Sequence, residues 1–237
     1  MSKAAVVIFA RAPLLGRVKT RLVPPLSPPQ ALGLHIACLR STAALIASLP
    51  RSVHKYIYLS GPAASARQQA RKLRLPASLA MRAQGRGDLG ERLRRMFAGL
   101  LAGGYLRVVV IGSDSPTLPR ARLRRALAAL RRADVVIGST EDGGYYLLGC
   151  RKLVREIFHR IPWGSSTTYA RTLARLERLQ IPYRILPRWY DVDRPRDLAR
   201  LRREVTRRAA SHLAPLERYF SQPPPSTRSS WPELAGA

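Results

Sequence analysis

Short apolar runs recur along the chain, and most are followed by a longer stretch in which apolar residues return every three or four positions. The first run, AAVVIFA (residues 4–10), has the continuous apolar character of a strand buried on both faces. A polar loop, RAPLLGRVKTRLVPPLS, follows it. Ser27 then caps a helix whose first turn accommodates Pro28 and Pro29, and which runs to about Leu49 before Pro50 stops it. VHKYIYLS (53–60) alternates as a strand does, residues 62–73 read as helix, and ASLAMRAQ (77–84) is a weaker strand. ERLRRMFAGLLAG carries helical periodicity. It is followed by a strand at 107–112 and a helix from about Arg120 to Arg132. ADVVIGS (133–139) and GYYLLGC (144–150) flank a DGG turn and so predict two neighbouring strands. Helices are expected near 152–159 and 166–179, then a last strand at 182–187 and a helix at about 195–208.

Strands alternating with helices in this way predict an α/β fold, a three-layer α/β/α sandwich around a mostly parallel sheet. The 237 residues, 46% of them hydrophobic, suit a single domain, placed here at 1–210. Residues 211–237 read as a tail. From about Ser221 it has no periodicity and contains three consecutive prolines, a composition that predicts disorder. No apolar run approaches the length of a membrane span, and the N-terminal run is too short for a signal peptide. Cys38 and Cys150 form no CxxC pair, which argues against structural zinc and for a reducing compartment, the cytoplasm.

Charge complicates this picture. There are 42 basic residues against 14 acidic ones, a net charge of +28. Such a sum raises the question of a nucleic-acid partner. All but five of the basic residues are arginines, however, and they are spread through every predicted helix and loop rather than gathered on one stripe. No zinc-finger spacing or RRM aromatic motif is present. A solvated basic surface is the favoured reading, ahead of nucleic-acid binding.

Chemistry concentrates where the strands end. In an open α/β sheet, ligands bind beyond the carboxyl ends of the strands. The strand VVVI (108–111) delivers Ser113, Asp114 and Ser115 to that rim, with Pro116 stiffening the turn. The next helix begins too far on for Asp114 to cap it, which favours a metal-binding carboxylate. WYDVDRPRDLARL (189–201) places Asp191 and Asp193 just beyond the last strand, whereas Asp197 is accounted for by the dipole of the helix it starts. Two carboxylates brought from distant sequence to one rim suit a hard divalent cation held together with a phosphate-bearing substrate. The loop after the first strand offers Arg11, Gly16, Arg17, Lys19 and Arg21 to an anion, although it is no Walker A sequence. QGRGDLGERL (84–93) has Gly85, Gly87 and Gly90 immediately after a strand, which would let backbone approach a flat ligand such as a base. TEDGGYYLLG (140–149) sets Glu141 and Asp142 before Gly143, Gly144 and Tyr145. It reads equally as a hairpin turn. IPWGSSTTYARTL (161–173) offers Trp163 and Ser165 at a helix start, where Ser165 or Ser166 is the expected N-cap.

Six segments in order, FARAPLLGRVKTRL, GDLGERL, GSDSPTLP, EDGGYYLLG, PWGSSTTY and WYDVDRPRDL, resemble the DUF2064 family over roughly residues 4–202. That family is described as GT-A-type glycosyltransferases, some linked to arsenosugar biosynthesis, and as transferases associated with radical-SAM enzymes. It is similar in turn to the 2-phospholactate and molybdenum-cofactor guanylyltransferases. The resemblance implies the nucleotide-diphospho-sugar transferase (GT-A) fold and an Mg²⁺ or Mn²⁺ held by Asp114 and Asp193. It implies phosphate contacts from Lys19 and Arg21, with Arg11, Gly16, Arg17 and Ser113 beside them. It also implies base reading by Gln84 and the Gly87–Gly90 segment, Asp88 included. Asp142 joins Lys19 and Arg21 as the expected catalytic set. Glu141, Gly143, Gly144, Tyr145, Trp163 and Ser165 form the expected acceptor side. The Ser113-Asp114-Ser115 triplet supplies one carboxylate where a DxD motif supplies two.

The expected activity is transfer of a sugar from a nucleotide-sugar donor to a small-molecule acceptor. The alternative is nucleotidyl transfer from an NTP to a phosphorylated small molecule. A basic nucleic-acid-binding protein is a distant third.

Overall fold

The computed structural model describes residues 3–60, 73–208 and 210–221. Seven strands form one mixed sheet in the order β3-β2-β1-β4-β6-β5-β7. They are β1 (Ala4–Ala10), β2 (Val53–Leu59), β3 (Leu79–Ala83), β4 (Arg107–Ile111), β5 (Val135–Thr140), β6 (Tyr145–Cys150) and β7 (Tyr183–Trp189). Only β6 runs against its neighbours, pairing antiparallel with both β4 and β5. The carboxyl ends of the other six strands, and the β5–β6 turn, therefore share one rim.

Alternation along β1 builds the layers. Val6, Ile8 and Ala10 face Leu32, Ile36 and Leu39 of α1 (Pro28–Ala47), and the same cluster takes in Leu123 and Ala126 of α3 (Arg120–Ala129). Ala5 and Val7 face the other way, onto Leu93, Met96 and Phe97 of α2 (Leu89–Ala102). On that second face α4 (Thr168–Arg178) adds Leu176. Each inward valine, leucine, isoleucine, methionine or phenylalanine contributes about 1.5–3 kcal/mol of burial, so the two faces of one strand tie both helical layers to the sheet.

α1 begins as its sequence requires: the Ser27 hydroxyl accepts from the Gln30 amide while the Gln30 side chain accepts from the Ser27 amide at 2.7 Å. By length and composition α1 could cross a membrane, yet 14 of its 20 residues are buried within the protein, as befits a core helix. Its outer face is covered by α5 (Pro195–Arg207) and by α6 (Ala214–Ser221). Leu34, Ala37 and Cys38 meet Leu201, Val205, Leu213 and Leu216 there. The segment from 211 to 221, part of the expected tail, is thus a 3-10 turn and a helix packed on α1. The expected disorder beyond Ser221 and most of the expected helix at 62–73 lie outside the described residues.

Two local expectations are corrected. The helix expected near 152–159 is only a 3-10 turn at Arg155–Phe158, because a segment this short cannot offset the cost of nucleating an α-helix. The N-cap of α4 is Thr167, not Ser165 or Ser166. The Ser165 hydroxyl instead donates to the Pro162 carbonyl at 2.8 Å, inside the turn that precedes the helix.

Candidate functional site

The connection after β1 leads to β2 on one side of the sheet, while β4 lies on the other. The crevice between the ends of β1 and β4 is where a parallel sheet opens to a ligand. Lys19 enters it from the β1 loop. Its backbone sits at φ +50°, a left-handed conformation that a side-chain-bearing residue adopts at a cost of about 1 kcal/mol or more unless its surroundings hold it there. What holds it is visible. The ammonium donates to Asp114 of the β4 loop, to the Val192 carbonyl at 2.5 Å, and to Asp193 at 3.4 Å, both beyond β7. The Val192 amide closes the group by donating to the Asp114 carbonyl at 2.8 Å. Three segments far apart in sequence converge on one nitrogen.

The lysine side chain is 2% exposed, while Asp114 and Asp193 are 47% and 36% exposed, so the carboxylates face outward with the cation behind them. Burial alone would lower the Lys19 pKa, but Asp114 and Asp193 overcome it and raise it, keeping the side chain charged. Burial likewise works to raise Asp114, and Lys19, with His35 and Arg11, overcomes it and holds this carboxyl below its usual range. His35, 3% exposed, stands behind the pair with Nε2 3.1 Å from the Arg11 carbonyl. Burial lowers its pKa. Buried Cys38 lies close enough to feel Lys19, and burial pushes its thiol up to about 12.

A second acidic group adjoins the first. Carboxylate oxygens of Asp142, Asp191 and Asp193 lie within 4.8 Å of one another. Asp142 is oriented by Thr140 Oγ1 at 2.6 Å and the Gly144 amide at 3.0 Å, both donating to its Oδ1. Burial first, then the charges of Asp142, Asp193 and Asp114, push Asp191 up to about 7. Unfolded, this carboxyl titrates near pH ~4. Between these values the folded state holds a proton that the unfolded state has lost. Stability therefore falls as pH rises from about 4 to 7. Asp191→Asn is expected to flatten that slope in urea unfolding measured at pH 5 and pH 8; an unchanged slope would place the effect elsewhere.

The donor set fits a hard divalent cation: carboxylate oxygens only, mutually repelling, at the mouth of an anion-facing rim. It does so differently from the expected Asp114–Asp193 pair. Those two are already bridged by an ammonium, and the closest carboxylate cluster is Asp142, Asp191 and Asp193. Asp191 carried a signal in the sequence, since D-V-D in an extended segment turns its first and third residues to one side.

The remaining expected residues are distributed around this centre. Arg11, Gly16, Arg17 and Arg21 are exposed on the β1 loop; Gly16 takes φ +69°, and the Arg11 guanidinium donates to the Arg17 carbonyl at 3.4 Å. Arg21 is close enough to act on Asp193 electrostatically. Ser113 is 2% exposed beside Asp114.

Gln84, expected to read a base, uses its amide NH₂ on the Ala10 and Tyr58 carbonyls, at 2.8 and 2.9 Å. Its oxygen accepts from Arg92 at 2.6 Å, so it locks the ends of β1 and β2. Asp88 caps α2, accepting from the Glu91 amide at 2.8 Å. Gly90 is a contact point: a Cβ there would lie 2.4 Å from the Phe158 carbonyl and the Trp163 ring.

On the expected acceptor side, Glu141 accepts from Arg200 at 2.8 Å, and that guanidinium lies 3.7 Å from the centre of the buried Tyr190 ring. Tyr145 and Trp163 meet edge to face at 6.0 Å. Gly143 has φ +91°, and a Cβ would come within 1.9 Å of the Ser166 carbonyl. Gly143→Ala is therefore expected to cost about 3 kcal/mol or more. Thermal unfolding would show it, and an unchanged melting temperature would mean that the turn is free to move.

The comparisons with known proteins follow the same lines. The family model described as "uncharacterized protein conserved in bacteria (DUF2064)" matches residues 46–165. A crystal structure from Desulfovibrio desulfuricans G20, provisionally described as a nucleotide-diphospho-sugar transferase, is 30% identical. It has a TM-score of 0.82 and covers 93% of this chain and 96% of its own. Two further structures share the fold alone. CMP:2-keto-3-deoxy-manno-octonic acid synthetase complexed with CTP has 15% identity, TM-score 0.53 and coverage of 87% and 99%. The 4-diphosphocytidyl-2C-methyl-D-erythritol synthase of Anaerococcus prevotii DSM 20548 has 10% identity, TM-score 0.54 and coverage of 86% and 97%. No curated protein matches significantly. With half the chain under one family model, and a 30% identical structure aligned over nearly all of it, the chain belongs to the DUF2064 family and has the nucleotide-diphospho-sugar transferase fold.

Proposed function

We propose that the protein is a nucleotide-dependent transferase that moves a sugar from a nucleotide-sugar donor to a small-molecule acceptor. The observation that carries this reading is the convergence of Asp114, Asp193 and the Val192 carbonyl on the Lys19 ammonium, at the crevice where the sheet opens. A fixed buried cation with outward carboxylates is what a diphosphate leaving group and its counter-cation require. The similar structure from D. desulfuricans, described as a nucleotide-diphospho-sugar transferase, supports the donor class.

Asp193, with Asp191, would hold a Mg²⁺ or Mn²⁺, and Asp114 offers the oxygen not used by Lys19. Such an ion, when bound, neutralises charge on the phosphate oxygens. Arg11, Arg17 and Arg21 line the approach with positive charge and steer the diphosphate inward. Lys19 fixes the spacing of Asp114 and Asp193 before the ligand arrives, so no reorganisation is needed as charge develops on the leaving oxygen. In the transfer itself, an acceptor hydroxyl oxygen bonds to the anomeric carbon while the carbon–oxygen bond to the diphosphate breaks. The nucleoside diphosphate keeps that electron pair, and the hydroxyl proton passes to a carboxylate. Asp142, one oxygen anchored and the other outward, is placed for that proton. With the Gln84 amide engaged, backbone groups at Gly85 and Gly87, both with φ above +75°, are the candidates for base contact.

Nucleotidyl transfer is the second reading, favoured by Asp193 standing opposite Asp114 on the same lysine. The test is a thermal-shift panel with Mn²⁺ present or chelated, setting UDP-, GDP- and dTDP-sugars against the nucleoside triphosphates. Metal-dependent stabilisation by one nucleotide sugar is expected. A response confined to one triphosphate would move the assignment to nucleotidyl transfer, and no response to either class would remove the nucleotide from the reading.

A further inference from the structure

Three of the five large hydrophobic side chains left exposed among the described residues lie in one loop: Leu14 at 43%, Leu15 at 59% and Val23 at 38%. Leu14–Arg17 form a tight turn, the Arg17 amide donating to the Leu14 carbonyl at 3.1 Å, which puts Leu15 and Gly16 at its tip. A Cβ on Gly16 would meet nothing within 4 Å, so the tip stands out into solvent. Pro24 and Pro25 extend the exposed apolar surface beside Val23. Arg11, Arg17 and Arg21, in the same loop, are all exposed, and the loop leaves the rim that carries the acidic site.

Charge along this part of the chain is one-sided. The first 87 residues, from which β1, α1, β2 and β3 are built, contain 14 lysines and arginines and no aspartate or glutamate. An exposed aliphatic tip on a loop that also exposes three arginines is complementary to a surface that is anionic outside and hydrocarbon within. A nucleic acid would match the charge but has no use for two leucines and a valine, and stacking aromatic residues are absent from residues 11–25.

We propose that the Leu14–Leu15 turn is a membrane-docking tip that seats the mouth of the site on an anionic lipid bilayer. Leu14 and Leu15 enter the headgroup–acyl boundary while Arg11, Arg17 and Arg21 meet lipid phosphates. Under the transferase reading, on which this one consequence rests, an acceptor anchored in the bilayer would meet the site without leaving it.

Cosedimentation with vesicles of phosphatidylcholine containing phosphatidylglycerol, against phosphatidylcholine alone, at physiological salt tests the tip. Wild type is expected to partition to the anionic vesicles. L14S/L15S, which leaves every charge in place and alters only exposed side chains, is expected to bind at least tenfold more weakly with an unchanged melting temperature. Equal binding by L14S/L15S and wild type would overturn the tip by reducing the interaction to net charge. So would an RNA homopolymer that binds wild type and L14S/L15S alike and strips both from the vesicles. Asp114→Asn is expected to bind vesicles as wild type does. Vesicle binding without any nucleotide response would sink the transferase reading and leave the docking surface standing.

Discussion

Lys19→Met is expected to abolish measurable turnover and to cost the protein about 2–3 kcal/mol of stability. Methionine keeps the length and apolar body of the lysine stem but removes the charge. Asp114 and Asp193 would then face each other across a gap lined by the Val192 carbonyl, with no donor for any of the three. Removing one partner of a fully buried pair costs about 3–5 kcal/mol; the lower figure applies because nearly half of the Asp114 side chain reaches water. Against a net stability of about 5–15 kcal/mol for a typical domain, such a loss is plain in urea unfolding. Turnover should fall by about 10³ or more, because the ammonium is a buried cation fixed at the crevice.

A further readout separates this from general damage. Mn²⁺ should raise the melting temperature of the variant more than that of wild type, since a divalent cation can take up the oxygens that the ammonium held. A variant with wild-type stability and turnover would show that the three-way contact is incidental.

Asp114→Asn is expected to behave differently, losing function with little loss of fold. The amide oxygen can still accept from Lys19, and Asp193 and Val192 keep their places, so the stability cost should be about 1 kcal/mol. Turnover should drop by about 10²–10³, and the metal-dependent nucleotide shift should disappear. Full retention of that shift would remove Asp114 from the site. The sign of its titration adds a second measurement. Lys19 outweighs burial and depresses the folded pKa of Asp114, so the carboxylate's contribution to stability is present above about pH 4 and is lost as pH falls through the folded value. Acid unfolding of the Asp114→Asn variant should therefore lack part of the wild-type loss at low pH. This limb runs opposite to that of Asp191, whose contribution declines as pH rises toward 7.

Much of the fold was legible because burial imposes periodicity. β1 and β4 lie inside two packed layers and so read as nearly unbroken apolar runs, and β2, with alternate residues less buried, alternates. The start of α1 was legible because a cap is a local device: serine, two prolines and glutamine satisfy the first turn by themselves. The 3-10 turn at Arg155–Phe158 and the cap of α4 were not, since there the outcome depends on neighbours. Arg175 ties the carbonyls of Glu156 and His159, at 2.9 and 3.1 Å, and Tyr169 donates to Gly143 at 2.9 Å. The roles of Gln84 and Asp88 were hidden for the same reason. A side chain's chemistry suggests a ligand, but its partners decide whether any donor is left to offer one.

By itself, then, the sequence determined the alternation of strands and helices, the layered sheet they must make, and the delivery of Asp114, Asp191 and Asp193 to one rim. Each of these follows from local periodicity and from the rule that parallel strands point the same way. Only the tertiary structure decided that a lysine, 95 residues from Asp114 and 174 from Asp193, would hold that rim together. No local pattern announces such a contact. A charge's partner is chosen by three-dimensional proximity, and proximity across the sheet is a property of strand order, which the chain does not spell out along its length.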